Sequence, residues 1–197
     1  MKTLIIHPKD PTTSFLSQVY ALLPNKTVVQ GGITKSKLRT LIESRDRVLM
    51  IGHGSPYGLL SQGQFHDAGL YIIDDSMVSA LKNKSNSIYI WCYADQFVKR
   101  HGLSGLYSGM FISEFGEAIY NGFDDMDWSL IDQSNVRFAS IVSKFVNEPI
   151  DVMYQKILCE YKFLARTNPI ARFNLERIYF TCPESNNNYS KLVFLEK

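Results

Sequence analysis

The chain has 197 residues, 45% of them hydrophobic and 20% charged, with a formal net charge of +2. That length is most simply one domain, residues 1–197, with enough apolar content to bury a core. So small a net charge does not mark a nucleic-acid binder, and no stretch approaches the ~18 consecutive apolar residues that a membrane-spanning helix requires.

The amino-terminal segment, residues 1–8, has too short an apolar run for a signal peptide and no small-residue cleavage site. Cys92, Cys159 and Cys182 are odd in number and lack CxxC spacing, which argues against a disulfide framework and against a zinc site. The expectation is a cytoplasmic protein with reduced thiols, no metal and no cofactor.

Residues 3–6 read as a first buried strand, broken by the two prolines Pro8 and Pro11. Thr12, Thr13 and Ser14 offer caps for a helix over about 14–23, with Phe15, Val19 and Leu22 or Leu23 on one face. A short strand over 27–30 follows, closed by Gly31 and Gly32. Thr34 then caps a helix through Ile42, with Leu38, Leu41 and Ile42 inward and Lys35, Lys37 and Arg39 outward.

The next stretch organises the chain. Val48 to Ile51 is an uninterrupted apolar run, the pattern of a strand buried on both faces in a parallel sheet. It ends in Gly52, His53, Gly54 and Ser55, and glycines followed by Pro56 turn the chain. His53 therefore falls at the carboxyl edge of a buried strand, where open α/β sheets place their ligand sites. Residues 58–60 and 70–73 pair as a small hairpin, and Asp74 to Ser76 cap a helix over Met77, Val78 and Leu81. A second apolar run, 87–91, ends in Cys92.

Downstream, residues 95–99 are helical in pattern, 105–113 read as a strand, and Ser113 and Glu114 open a helix to Tyr120. From Asp127 to about Leu175 the pattern is mainly helical. One stripe runs through Phe138, Ile141, Val142 and Phe145, another through Tyr154, Ile157, Leu158 and Tyr161. Asn168 and Pro169 interrupt, a short helix follows, and 177–181 and 191–195 read as late strands about a turn at 186–188. Alternating strands and helices predict a mainly parallel sheet with helices on both faces, joined by right-handed crossovers.

Two buried strands that each deliver one reactive side chain to the same sheet edge make a candidate Cys–His site. A thiol is a useful nucleophile as thiolate, and an imidazole that takes its proton makes it so. Gly54, lacking a Cβ, lets a carbonyl approach the backbone, where its N–H and that of Cys92 can form an oxyanion hole. Against this stands the base rate that a cysteine ending an apolar strand is more often buried and inert. Asp95 is either a helix N-terminal charge or a group facing the same cleft, for specificity or orientation. Asp124, Asp125 and Asp127 lack calcium-loop spacing, residues 55–58 are no phosphate loop, and His7, His66 and His101 read as ordinary loop histidines.

A strand followed by Gly52-His53-Gly54-Ser55 and, 39 residues after the histidine, a strand ending in Trp91-Cys92 resembles the clan CD cysteine peptidases. These share the caspase-like fold and include clostripain, gingipains, legumain, separase and CHAT domains. The likeness covers roughly residues 1–120; the whole chain is also similar to uncharacterised proteins of bacteria and their phages. The resemblance implies a three-layer caspase-like α/β sandwich with His53 as general acid/base, Cys92 as nucleophile and Gly54 at the oxyanion. Ser55 and Asp95 would stand at the substrate, and a peptide or protein would be the partner. It further implies that strands 3–6, 47–52 and 87–91 are parallel neighbours with 27–30 outside the first. Trp91 and Tyr93 flank the cysteine where the clan usually carries a small residue, bulk that narrows the cleft or marks a site without peptidase activity. The expected function is a cysteine hydrolase; the alternatives are a silent caspase-like interaction domain and a binding protein for a nucleotide or metabolite.

Overall fold

A computed structural model of the chain describes residues 1–84 and 86–182. Its centre is a six-stranded sheet of β1 (Thr3–Ile6), β2 (Lys26–Val29), β3 (Arg47–Ile51), β7 (Ile88–Ile90), β8 (Gly105–Ser108) and β9 (Ile178–Thr181). The spatial order is β2-β1-β3-β7-β8-β9. The first five run parallel, and β9 closes the edge antiparallel to β8. The expected arrangement of the four strands around β1 and β3 is therefore the one observed. Between β3 and β7 the chain builds a small antiparallel sheet from β4 (Gly54–Ser55), β5 (Gly58–Leu60) and β6 (Tyr71–Ile73). The hairpin of β5 and β6 matches the sequence pattern; β4, directly after His53, adds a strand to it.

The central strands are apolar on both faces because both faces are covered. Ile5, Leu49, Ile51, Ile88, Ile90 and Leu106 pack against α1 (Ser17–Tyr20), α6 (Ser129–Phe145) and α7 (Ile150–Ala165). Their alternating neighbours Leu4, Ile6, Val48, Met50, Tyr89, Trp91 and Tyr107 pack against α2 (Lys35–Glu43), α3 (Val78–Leu81), α4 (Ala94–His101) and the small sheet. The result is a mixed α/β fold whose mostly parallel sheet is flanked by helices. Each buried Ile or Leu contributes about 1.5–3 kcal/mol relative to exposure.

The helical segment behaves as its stripes require. Phe138, Ile141, Val142 and Phe145 of α6 and Tyr154, Ile157 and Tyr161 of α7 are buried. Asn168 caps α8 (Pro169–Leu175) by accepting from the Ala171 N–H, with Pro169 at the first helical position where its missing N–H costs nothing. Thr34 likewise caps α2 through the Lys37 N–H.

Two expectations change. The strand expected over 105–113 stops at Ser108, because its partner runs out: the Gly109 N–H turns to the Arg177 carbonyl, and Asn174 takes both the N–H and the C=O of Ile112. His7 lies in the loop after β1 as expected, but it is no ordinary loop histidine. It is buried, with Nδ1 2.9 Å from the Tyr20 hydroxyl and Nε2 3.3 Å from Thr13 Oγ1, and burial holds its pKa below the ordinary value. The turn at 186–188 and the strand at 191–195 lie outside the described residues. Among the described residues no helix is long and apolar enough to cross a membrane.

Candidate active site

β3 and β7 are adjacent and parallel, so the residues after each strand emerge at the carboxyl edge of the sheet. Gly52 makes the first exit: its φ of +144° suits glycine, and its N–H still donates to the Ile90 carbonyl before the chain bends to His53. Cys92 makes the second exit, between a fully buried Trp91 and a left-handed Tyr93 (φ 66°) that caps α4. A tyrosine in that region costs roughly 1–2 kcal/mol, and strain of this kind persists where the surroundings over-determine it, often at sites of function. The surroundings are visible. The Ser108 hydroxyl accepts from the Trp91 N–H (3.1 Å) and donates to the Trp91 carbonyl (2.9 Å), while the Tyr93 N–H donates to the Gly109 carbonyl (3.0 Å).

His53 and Cys92 line the same cavity, with Thr13, Phe15, Leu16, Phe111 and Ser113 among its walls. Its volume is about 20 Å³, room for roughly one water molecule. Histidine and cysteine do not hydrogen-bond each other. His53 Nε2 lies 2.6 Å from Thr12 Oγ1, 2.9 Å from Glu114 Oε1 and 4.0 Å from Asp10 Oδ1. The Cys92 thiol points instead to Glu117 Oε1 (3.2 Å) and the Phe111 carbonyl (3.4 Å). Burial pushes this thiol's pKa well up, and the Glu117 carboxylate beside it pushes the same way. Cys92 is only half-buried as a residue because it opens on the cavity; protein fills the remaining sides.

The two glutamates belong to one device at the start of α5 (Phe115–Tyr120). Glu117 Oε2 accepts from the N–H of Ser113 (2.7 Å), the Ser113 hydroxyl (3.1 Å) and the N–H of Glu114 (3.1 Å), leaving Oε1 for the thiol. Asp10 and Thr12 come from the loop after β1, which is laid against β2 by bonds from His7 to Val29 and from Lys9 to Gln30. Sequence reasoning missed all four. Glu114 reads as a helix opener and Asp10 as part of a strand breaker, and each is that while also reaching the site; Thr12 reads as a helix cap, but its hydroxyl goes to Asp10 and His53 instead.

Gly54, Ser55 and Asp95 are not among the residues that line the cavity. A Cβ on Gly54 would stand 2.1 Å from Trp91 Cδ1 and 2.6 Å from the Gly58 carbonyl, so the indole alone requires a glycine there. The pairing of Gly54 with Leu59, with Leu60 N–H donating to the His53 carbonyl, turns the Gly54 N–H away from β5. The Ser55 hydroxyl bonds the Tyr71 hydroxyl (2.7 Å) and its carbonyl accepts from Trp91 Nε1 (3.1 Å). Asp95 sits in the first turn of α4 and pairs with Lys99 at 3.0 Å, the helix-charge role. The bulk of Trp91 is spent in the core against Tyr89 and Phe97. His101, expected in a loop, instead ends α4 and pairs with Asp75 at 2.9 Å. No group of three or more His, Cys, Asp or Glu side chains able to hold a metal occurs among the described residues. Comparison with protein-family models and with curated proteins finds no match.

Proposed function

We propose that the chain is a caspase-like cysteine hydrolase acting on a peptide bond, with Cys92 as nucleophile and His53 as base, in a resting form. The observation that carries this reading is positional: His53 and Cys92 leave neighbouring parallel strands at one edge and line one cavity. The strained turn at Tyr93, which presents Cys92 between a buried strand and a helix, supports it further. The neighbour relations of β2, β1, β3 and β7 are those the resemblance implies.

In the reaction the thiol proton passes to the His53 ring as sulfur bonds the carbonyl carbon. The C–N bond then breaks as the amine takes that proton, and water hydrolyses the thioester to restore the thiol. Two features mark the form described as resting. A cavity of about 20 Å³ is too small for a peptide, and a neutral thiol facing a carboxylate is the opposite of the electropositive setting that makes thiolate. Activity therefore requires Cys92 to leave Glu117 and the wall of Phe111 and Ser113 to open. The same carboxylate favours the rival reading, a catalytically silent interaction domain.

Alkylation separates the two. The parent protein is treated with iodoacetamide at neutral pH, with and without a peptide-aldehyde panel, and the modified cysteines are mapped. The hydrolase reading expects peptide aldehydes to protect Cys92, and Cys92→Ala and His53→Ala each to abolish cleavage of a varied peptide library without loss of folding. Cys92 reacting no faster than Cys159 and Cys182 under every condition, with no cleavage by the parent, leaves the silent domain.

A further inference from the structure

The short helix α5 is apolar on its solvent side. Its inward positions, Glu117 and Ala118, turn a carboxylate to Cys92 and a methyl to the core beside Ile112 and Ile131. The other four, Phe115, Gly116, Ile119 and Tyr120, are exposed and fall on one continuous arc of the helix. A surface helix ordinarily gives that arc to charged and polar side chains; here the Tyr120 hydroxyl is its one polar side-chain group. Trp128, also exposed, precedes α6 and lies edge-on against Phe115, carrying the patch across the loop between the two helices. Tyr120 is 81% exposed, so this aromatic surface stands open to solvent. Scattered exposed apolar residues are ordinary, but a contiguous group of them marks an interaction surface.

The rim of the patch decides what fits it. Asp124, Asp125 and Asp127 occupy the loop between the helices, and Asp132 stands one turn after Trp128 on α6. All four are exposed, and none is in an ion pair among the described residues. The imbalance reaches further: residues 101–136 contain six Asp and Glu and no Lys or Arg, in a chain with 21 basic and 19 acidic residues. Uncompensated carboxylates around an apolar centre attract cations from outside the chain. They repel nucleic acid and anionic lipid, and a second copy docked through the same patch would set like charges against like. We propose that this face, with Phe115, Ile119, Tyr120 and Trp128 at its centre, docks a basic polypeptide segment of a partner protein, one with aromatic or aliphatic residues set among lysines or arginines. The aromatic side chains supply anchors of the kind that dominate protein interfaces, while the aspartates select the sign of the partner's charge and speed encounter. The surface goes beyond the hydrolase reading and stands whether or not Cys92 reacts, since docking needs only the solvent side of α5.

The test selects the partner's chemistry without assuming it. A phage-displayed library of random peptides is panned against the immobilised full chain, and the affinities of synthesised winners are read by fluorescence anisotropy. The expected winners combine lysine or arginine with aromatic or aliphatic residues, and bind more weakly as salt is raised. Ile119→Ser/Tyr120→Ser is expected to weaken them about tenfold or more. Asp124→Asn/Asp125→Asn, which leaves the apolar surface intact, is expected to weaken them severalfold and to flatten the salt dependence. In the parent, which needs no substitution, the peptides should shift the amide resonances of residues 115–136 first. No enrichment, winners that are acidic or uncharged, affinities unchanged in both double variants, or shifts centred elsewhere on the chain each overturn the inference. Two further outcomes also overturn it by naming another occupant. Co-sedimentation with vesicles of equimolar phosphatidylcholine and phosphatidylserine, lost in Ile119→Ser/Tyr120→Ser, assigns the face to a membrane; concentration-dependent self-association lost in the same variant assigns it to a second copy.

Discussion

Around Cys92 the decisive quantity is the charge it faces. An anion beside a thiol raises the cost of forming a second anion, on top of what burial already imposes, and both act here in the same direction. Glu117→Gln keeps the size and the hydrogen-bonding oxygen but removes the charge, so the thiol pKa is expected to fall. The pH profile of Cys92 alkylation should move to lower pH, with the rate at neutral pH rising severalfold while those of Cys159 and Cys182 stay put. An unchanged profile would mean that burial alone controls the thiol. Gly54 obeys a different constraint, that of space. An added methyl meets Trp91 Cδ1 at 2.1 Å and a backbone carbonyl at 2.6 Å, and the indole cannot retreat, being buried, ring-packed and bonded through Nε1. Gly54→Ala should cost about 1–3 kcal/mol as overpacking, read as a lower urea midpoint with an unchanged slope. A loss below ~0.5 kcal/mol, the range of neutral surface changes, would show that Trp91 has an alternative seat.

At the scale of elements, the segment from Gly109 to Glu117 sets the site, and a buried side chain from another helix holds it. Asn174 of α8 accepts from the Ile112 N–H (2.8 Å) and donates to the Ile112 carbonyl (2.8 Å) and to Ser134 Oγ (3.3 Å), all without solvent. Truncation strands two buried backbone groups, each worth about 1–3 kcal/mol when left unpaired. Asn174→Ala should therefore lower stability by a few kcal/mol and speed exchange of the Ile112 amide selectively before global unfolding. Slow exchange retained there would show that water replaces the amide. The same segment explains what sequence could and could not reveal. Strands such as 48–51 and 88–90 are legible because continuous burial demands continuous apolar sequence, and strand ends place His53 and Cys92 without further information. Residues 109–113 look equally like a strand, because nothing local shows that β9 begins only at Ile178, opposite Ser108. Glu114, Glu117, Asp10 and Thr12 carry ordinary cap and turn chemistry in sequence. Their convergence on two side chains depends on how the loop after β1 and the start of α5 meet at the sheet edge, which no local pattern encodes.

For the whole molecule, the question is how the helical layer is tied to the sheet, and Arg47 poses it most sharply. It opens β3 and is 1% exposed, and its guanidinium donates to the Val146 carbonyl at the end of α6, 99 residues away. A cation at a helix carboxyl end is favourable, but Nε and the second terminal nitrogen have no partner among the described residues, and no carboxylate pairs with the group there. Burial lowers its pKa from the ordinary arginine range to about 10. It thus stays charged at neutral pH, and the native state carries the penalty throughout the physiological range. Because the unfolded arginine binds its proton more tightly than the folded one, the penalty is relieved only as pH rises through about 10. The tie between layers thus sets one charge-assisted hydrogen bond against the cost of burying the guanidinium. Methionine matches the aliphatic stem and removes the charge, as in buried ionic groups whose apolar replacement is neutral or stabilising. Arg47→Met is expected to shift unfolding free energy by between zero and about +2 kcal/mol, measured by urea denaturation at neutral pH. Loss of more than ~2 kcal/mol, the size of a buried group stripped of its partners, would instead make Arg47 a satisfied anchor of α6 on the sheet.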